Sequence, residues 1–122
     1  MGIDHIFQFP LLIVIVRGLS TQGEILAAFD QLALDNRMEC SECIILDLRY
    51  ADYAPSHEEL EMIADHLRSI KALRGKRWAV VAQQVSILFG NVRLFCAFMK
   101  SKGFNTELFW AYSKAMSWAL LG

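Results

Sequence analysis

Apolar residues change their spacing along this chain, and the changes mark out its elements. Ile3 to Phe9 and Leu11 to Val16 read as two strands, the second a nearly unbroken β-branched run of the kind covered on both faces. Pro10 between them marks a turn or a sheet edge. The period then becomes helical. Ile25, Phe29, Leu32 and Ala33 follow Thr21 and Glu24, which have capping-box spacing, so a first helix is predicted over 21–35. The polar stretch 36–42 reads as a loop.

Cys43 to Arg49 is a short strand of the buried type, followed by the turn-rich segment Tyr50 to Pro55. Ser56 and Glu59 repeat the capping box. Behind them Leu60, Ile63, Ala64, Leu67 and Ile70 fall on one face of a second helix expected to end near Arg74, with Gly75 closing it. Arg77 to Ala82 is the next strand. Ser86 is placed to cap a third helix reaching Lys102, and Gly103 to terminate it. A strand over Thr106 to Trp110 and a helix over Ser113 to Leu121 follow. The order ββαβαβαβα predicts one α/β domain spanning 1–122: a mixed, mostly parallel sheet of four to five strands, right-handed crossovers and about four helices.

Composition narrows the function classes. A 55% hydrophobic content with 20% charged residues excludes disorder and favours a well-filled core or an apolar surface kept for a partner. A formal charge of -1 offers no clustered positive field for nucleic acid. The longest apolar run, Phe9 to Val16, is too short for a spanning helix, which needs roughly 20 residues. No basic region precedes a long apolar stretch at the start, so no secretory leader is expected and a cytoplasmic location is predicted. Cys40, Cys43 and Cys96 then read as reduced thiols.

Four segments carry a family resemblance: Arg77-Trp-Ala-Val-Val-Ala, Phe89-Gly90-Asn-Val-Arg93-Leu-Phe95, Glu107-Leu-Phe109, and Ala115-Met-Ser-Trp118-Ala-Leu120. With the strand ending Ile45-Leu-Asp47-Leu-Arg49, they make the chain from about Leu11 onward similar to the SpoIIAA-like family of STAS-fold proteins. That family resembles bacterial anti-sigma-factor antagonists and is grouped with lipid-binding CRAL-TRIO modules. The resemblance implies a mixed sheet with helices, acting without catalysis or cofactor as a binding or switching module. In the antagonists an Asp-Ser pair, then a small residue and Gly, opens the second long helix, where the serine is phosphorylated. The matching stretch here is Tyr53-Ala-Pro-Ser56-His57-Glu58, with Ser56 in a similar place and neither Asp-Ser nor Gly beside it.

Loops after the carboxyl ends of parallel strands are the expected ligand crevice. They are predicted to hold Asp47, Arg49, Asp52, Ser56 and His57, then Gln83, Gln84 and Ser86, then Trp110 and Tyr112. Such a group suits a small polar or anionic ligand, with helix amino ends supplying N–H donors. The plainer account is that Ser56 and Ser86 cap helices while Asp47 and Arg49 pair locally. A phosphate on Ser56 would meet a favourable helix dipole but also the acids Glu58, Glu59 and Glu61.

Other motifs carry less. Cys40 and Cys43 have CxxC spacing without a second ligand pair, and His57-Glu58 lacks the histidine a zincin helix needs at 61, so no metal is expected. The basic turn Arg74-Gly-Lys-Arg77 complements a helix end, with an acidic partner as its alternative. Gly90 inside a helix suggests close approach of another backbone; Arg93 is expected to reach solvent or pair with an acid such as Asp47. The third helix is apolar around much of its circumference, which predicts a homodimer contact or, alternatively, a lipid-sized pocket beneath it. The expected function is a non-enzymatic module binding an unidentified protein partner and itself. The alternative is a carrier or sensor of a small apolar ligand; an enzyme is the weakest reading and requires Asp47, Ser56 and His57 to converge in a cleft.

Overall fold

A computed structural model describes residues 2–52, 55–83 and 89–121. Among them the chain forms β1 (Gly2–Gln8), β2 (Leu11–Gly18), α1 (Gln22–Ala33), β3 (Cys43–Ala51), α2 (His57–Ser69), β4 (Arg77–Val81), α3 (Phe89–Ser101), β5 (Asn105–Phe109) and α4 (Tyr112–Leu121). The order is the predicted ββαβαβαβα. One sheet, ordered β1-β2-β3-β4-β5, joins all the strands; β1 runs antiparallel to β2, and β2 to β5 run parallel.

Alternating residues divide the sheet into two covered faces. Leu12, Val14, Val16, Ile44, Leu46, Trp78 and Val80 point to one side and bury the apolar stripes of α1, α2 and α3. Trp78 sits at the centre of that layer, with its ring 5.5 Å from Phe29 and 5.7 Å from Phe104. Leu11, Ile13, Cys43, Ile45, Ala79 and Val81 point to the other side, where α4 covers them with Ala115 and Ala119. This double coverage is why β2 and β3 are almost wholly apolar.

Both capping boxes form as the spacing predicts. Thr21 and Glu24 exchange side-chain and backbone bonds at the start of α1, and Ser56 and Glu59 do so at the start of α2. Gly75 and Gly103 take positive φ values, 78° and 96°, which a side chain would strain.

Several expectations need correction. The stretch 36–42 is not simple loop: Asp35 caps a 3-10 turn over Asn36–Cys40 by accepting from the Arg37 backbone N–H. Helix α2 ends at Ser69, because Ile70 turns extended and a separate 3-10 turn, Lys71–Leu73, leads into Gly75. Gly90 is exposed, and among the described residues nothing lies within 4 Å of where its Cβ would stand, so none of their backbone approaches it. Helix α3 is also less apolar on its outer side than its composition suggests. Val92, Phe95, Cys96 and Met99 are buried, while Gly90, Arg93, Ala97 and Lys100 form an exposed stripe, an ordinary amphipathic division.

Candidate functional site

The predicted rim exists, since β2 to β5 are parallel and their carboxyl ends lie together. At that rim β3 gains one residue on β2. Ile15 pairs with Asp47, but the next pairs are Arg17 with Tyr50 and Gly18 with Ala51. This bulge lets Asp47, Arg49 and Tyr50 share the α4 face, where strict alternation would turn Tyr50 away. Leu48 and Ala51 pack on the opposite, three-helix face.

A stack of alternating cations and rings results. The Arg17 guanidinium lies 5.4 Å from the Tyr50 ring, Arg49 lies 5.1 Å from the same ring, and Arg49 lies 4.7 Å from Tyr112 at the start of α4. Each arginine also holds a carboxylate. Arg17 Nε donates to Asp4 Oδ2 at 3.0 Å, and Arg49 donates to Asp47 through Nε at 2.9 Å and Nη2 at 2.8 Å. Asp47 accepts the Arg49 backbone N–H as well, at 3.1 Å. The ion pair raises the Arg49 pKa, while burial first and the Asp47 charge second raise that of the Tyr112 phenol.

The sequence-predicted residues divide accordingly. Asp47 and Arg49 are brought together, inside β3 rather than in the loop after it, and they pair locally. Arg93 reaches solvent and does not compete for Asp47. Asp52 is exposed, and its N–H donates to Gly18 O at 2.8 Å, tying the ends of β2 and β3. Ser56 and His57 open α2 on the three-helix face, so the sheet stands between them and Asp47. The Ser56 hydroxyl accepts from the Glu59 N–H at 3.2 Å. Gln83 and Trp110 are exposed at the rim. Gln84 and Ser86 lie outside the described residues.

Two further places have shape. On the three-helix face an apolar pocket of about 70 Å³ opens at the carboxyl end of β2 and β3, lined chiefly by Val16, Leu46, Leu48, Leu60, Val92 and Phe95. Asn91 stands beside it and donates its amide to Pro55 O at 2.9 Å. At the opposite end of the sheet, the basic turn spends two cations on helix ends. Lys76 Nζ donates to Met38 O and Ser41 O, and the Arg77 guanidinium donates to Trp118 O and Ala119 O at the end of α4.

Sequence reasoning missed Arg17 and Tyr50. Both stand at strand ends, and only the bulge, which no residue of β3 announces, turns Tyr50 toward Arg17. Cys40 is exposed and Cys43 and Cys96 are buried, all as thiols.

Fold and site define an α/β protein with a five-stranded mixed sheet, mostly parallel, flanked by three helices on one face and one on the other. The chain matches no protein-family model, and no curated protein matches it. Among the described residues no helix is long and apolar enough to cross a membrane.

Proposed function

We propose that the protein is a non-enzymatic, cytoplasmic interaction module of the SpoIIAA-like, STAS type, which works by binding a protein partner and by associating with itself. The sheet order and helix placement agree with what the sequence resemblance implies. One observation carries the functional part. On the α4 face the β1 edge of the sheet is open, with Ile6 50% exposed beside a half-buried Ile15, and the Arg17–Tyr50–Arg49 stack stands near it. Tyrosine and arginine around an apolar centre is the composition of binding surfaces. Native mass spectrometry of protein purified from its own host tests the reading. A stable assembly without a retained small molecule is the expected spectrum; a monomer carrying a small molecule overturns it.

The apolar pocket favours a second reading, a carrier or sensor of a small apolar ligand. An apolar cavity of about 150 Å³ accepts benzene. At about 70 Å³ this one takes a few carbon atoms, such as the tip of a branched chain.

A further inference from the structure

The molecule is polarised along its strands. Because β2 to β5 run parallel and a helix returns between each of β2 to β5, the connections from α1, α2 and α3 into the next strand all lie at the amino end of the parallel sheet. The Phe9-Pro10 turn and the last residues of α4 lie there too. Among the described residues, the three most exposed large apolar side chains stand at this end: Leu121 at 87%, Leu34 at 79% and Phe9 at 72%, while Leu120 is 56% exposed. An exposed leucine standing alone needs no explanation, but these four share one end and occupy the tips of three separate elements.

The charges are polarised in the same sense. The connections at this end, with the first residue of β4, carry Arg37, Lys71, Arg74, Lys76, Arg77 and Lys102, half of the chain's 12 lysines and arginines, but only Asp35, Glu39 and Glu42 of its 13 acids. A chain of net charge -1 therefore has a positive end and an acidic remainder. Arg37 is paired with Asp35, and Lys102 with Glu61 and Asp65. Lys71 and Arg74 are exposed, and no salt bridge among the described residues engages them. Lys76 and Arg77 donate to backbone carbonyls, which leaves their charges uncancelled. The fold interleaves cations with the apolar tips. One open groove runs between Pro10 and Leu120 and is lined by Arg74, Lys76 and Arg77 together with Glu42. A second runs between Leu34 and Ile70, with Lys71 on one side and Asp35 and Glu39 on the other.

We infer that the amino end of the sheet docks peripherally on an anionic lipid surface. Phe9, Leu34, Leu120 and Leu121 enter the headgroup region, and Lys71 and Arg74 meet the anionic headgroups around them. A folded protein partner calls for a continuous apolar centre inside a polar rim. Here the apolar side chains stand apart on turns with cations between them, which suits a fluid surface that closes around each one. Clustered cations are drawn to an anionic leaflet, and burying the apolar tips adds attraction in proportion to their area. This goes beyond the interaction-module reading and does not rest on it. The Arg17–Tyr50–Arg49 stack lies at the carboxyl end of the strands and stays open to a protein partner while the other end is on a bilayer.

Co-sedimentation of the purified full chain with lipid vesicles is the test, with circular dichroism to confirm that each variant is folded. The wild type sediments with phosphatidylcholine mixed two to one with phosphatidylserine, stays in the supernatant with phosphatidylcholine alone, and is released as salt is raised to about 1 M. Lys71→Glu and Arg74→Glu together weaken binding at least about tenfold. Phe9→Gln and Leu34→Gln each weaken it about threefold or more. Arg93→Glu makes the same charge change as either single reversal, at an exposed site in the first turns of α3 and so at the opposite end, and binds as the wild type does. A wild type that ignores the mixed vesicles overturns the inference, as does a loss in Arg93→Glu equal to that in Arg74→Glu, or binding indifferent to both apolar variants. A chain that ignores vesicles but is held by soluble polyglutamate overturns it in favour of an acidic protein. Should Phe9→Gln misfold, Leu34→Gln, at an exposed helix end, decides in its place.

Discussion

The Arg49 guanidinium grips the Asp47 carboxylate two residues behind it on the same strand, at 2.8 Å, with the carboxylate 1% exposed and the arginine side chain 27% exposed. The pair is therefore asymmetric, since the cation can turn to water and the anion cannot. Arg49→Ala strands a buried charge and costs about 3–5 kcal/mol. Asp47→Asn leaves a cation that still reaches solvent and costs roughly 1–3 kcal/mol. Urea unfolding of both variants checks the order; an Arg49→Ala variant no less stable than Asp47→Asn contradicts the account.

Gly90→Ala distinguishes open space from a close backbone approach. With nothing among the described residues within 4 Å of the Cβ position and no positive φ, alanine gains helix propensity without a clash. Stabilisation of up to about 1 kcal/mol is expected in thermal unfolding. A lowered midpoint would mean that something presses on that position.

Ser56 works first as a cap. Ser56→Ala loses the acceptor for the Glu59 N–H and costs about 1 kcal/mol, whereas Ser56→Asp keeps one and stays within a few tenths of the wild type. Chemical denaturation measures both. A serine whose loss changes nothing in stability would not be holding the helix start.

Burial separates the cysteines. It pushes the Cys96 thiol up to about 12 and raises that of Cys43, while Cys40 is exposed. At neutral pH a disulfide reagent should titrate one thiol per chain in the native protein and all three in denaturant. Because Cys96 ionises only near pH 12, its native reactivity stays flat through the mildly alkaline range. Rapid modification of a second thiol in the folded protein would contradict this burial.

The fold was largely legible in the sequence because each element announces itself locally. The capping residues Thr21 and Ser56, the terminating glycines Gly75 and Gly103, and the β-branched run of β2 depend on neighbours a few positions away. The site was legible only in part. The Asp47–Arg49 pair follows from two residues two apart on one strand, but Arg17 and Tyr50 meet across strands more than thirty positions apart in sequence, through a bulge set by pairing. Ser56 and Asp47, close in sequence, are separated by the sheet because α2 returns over the other face.

By itself, then, the chain's pattern determined the alternation of strands and helices, the parallel crossovers and where most helices begin, since these follow from local periodicity and backbone preference. Tertiary structure alone decided that α4 covers only part of its face, that the β1 residue Ile6 stays exposed there, and that two arginines stack on one tyrosine. Those depend on register and on how helices share a surface, which are properties of the assembled sheet and not of any segment.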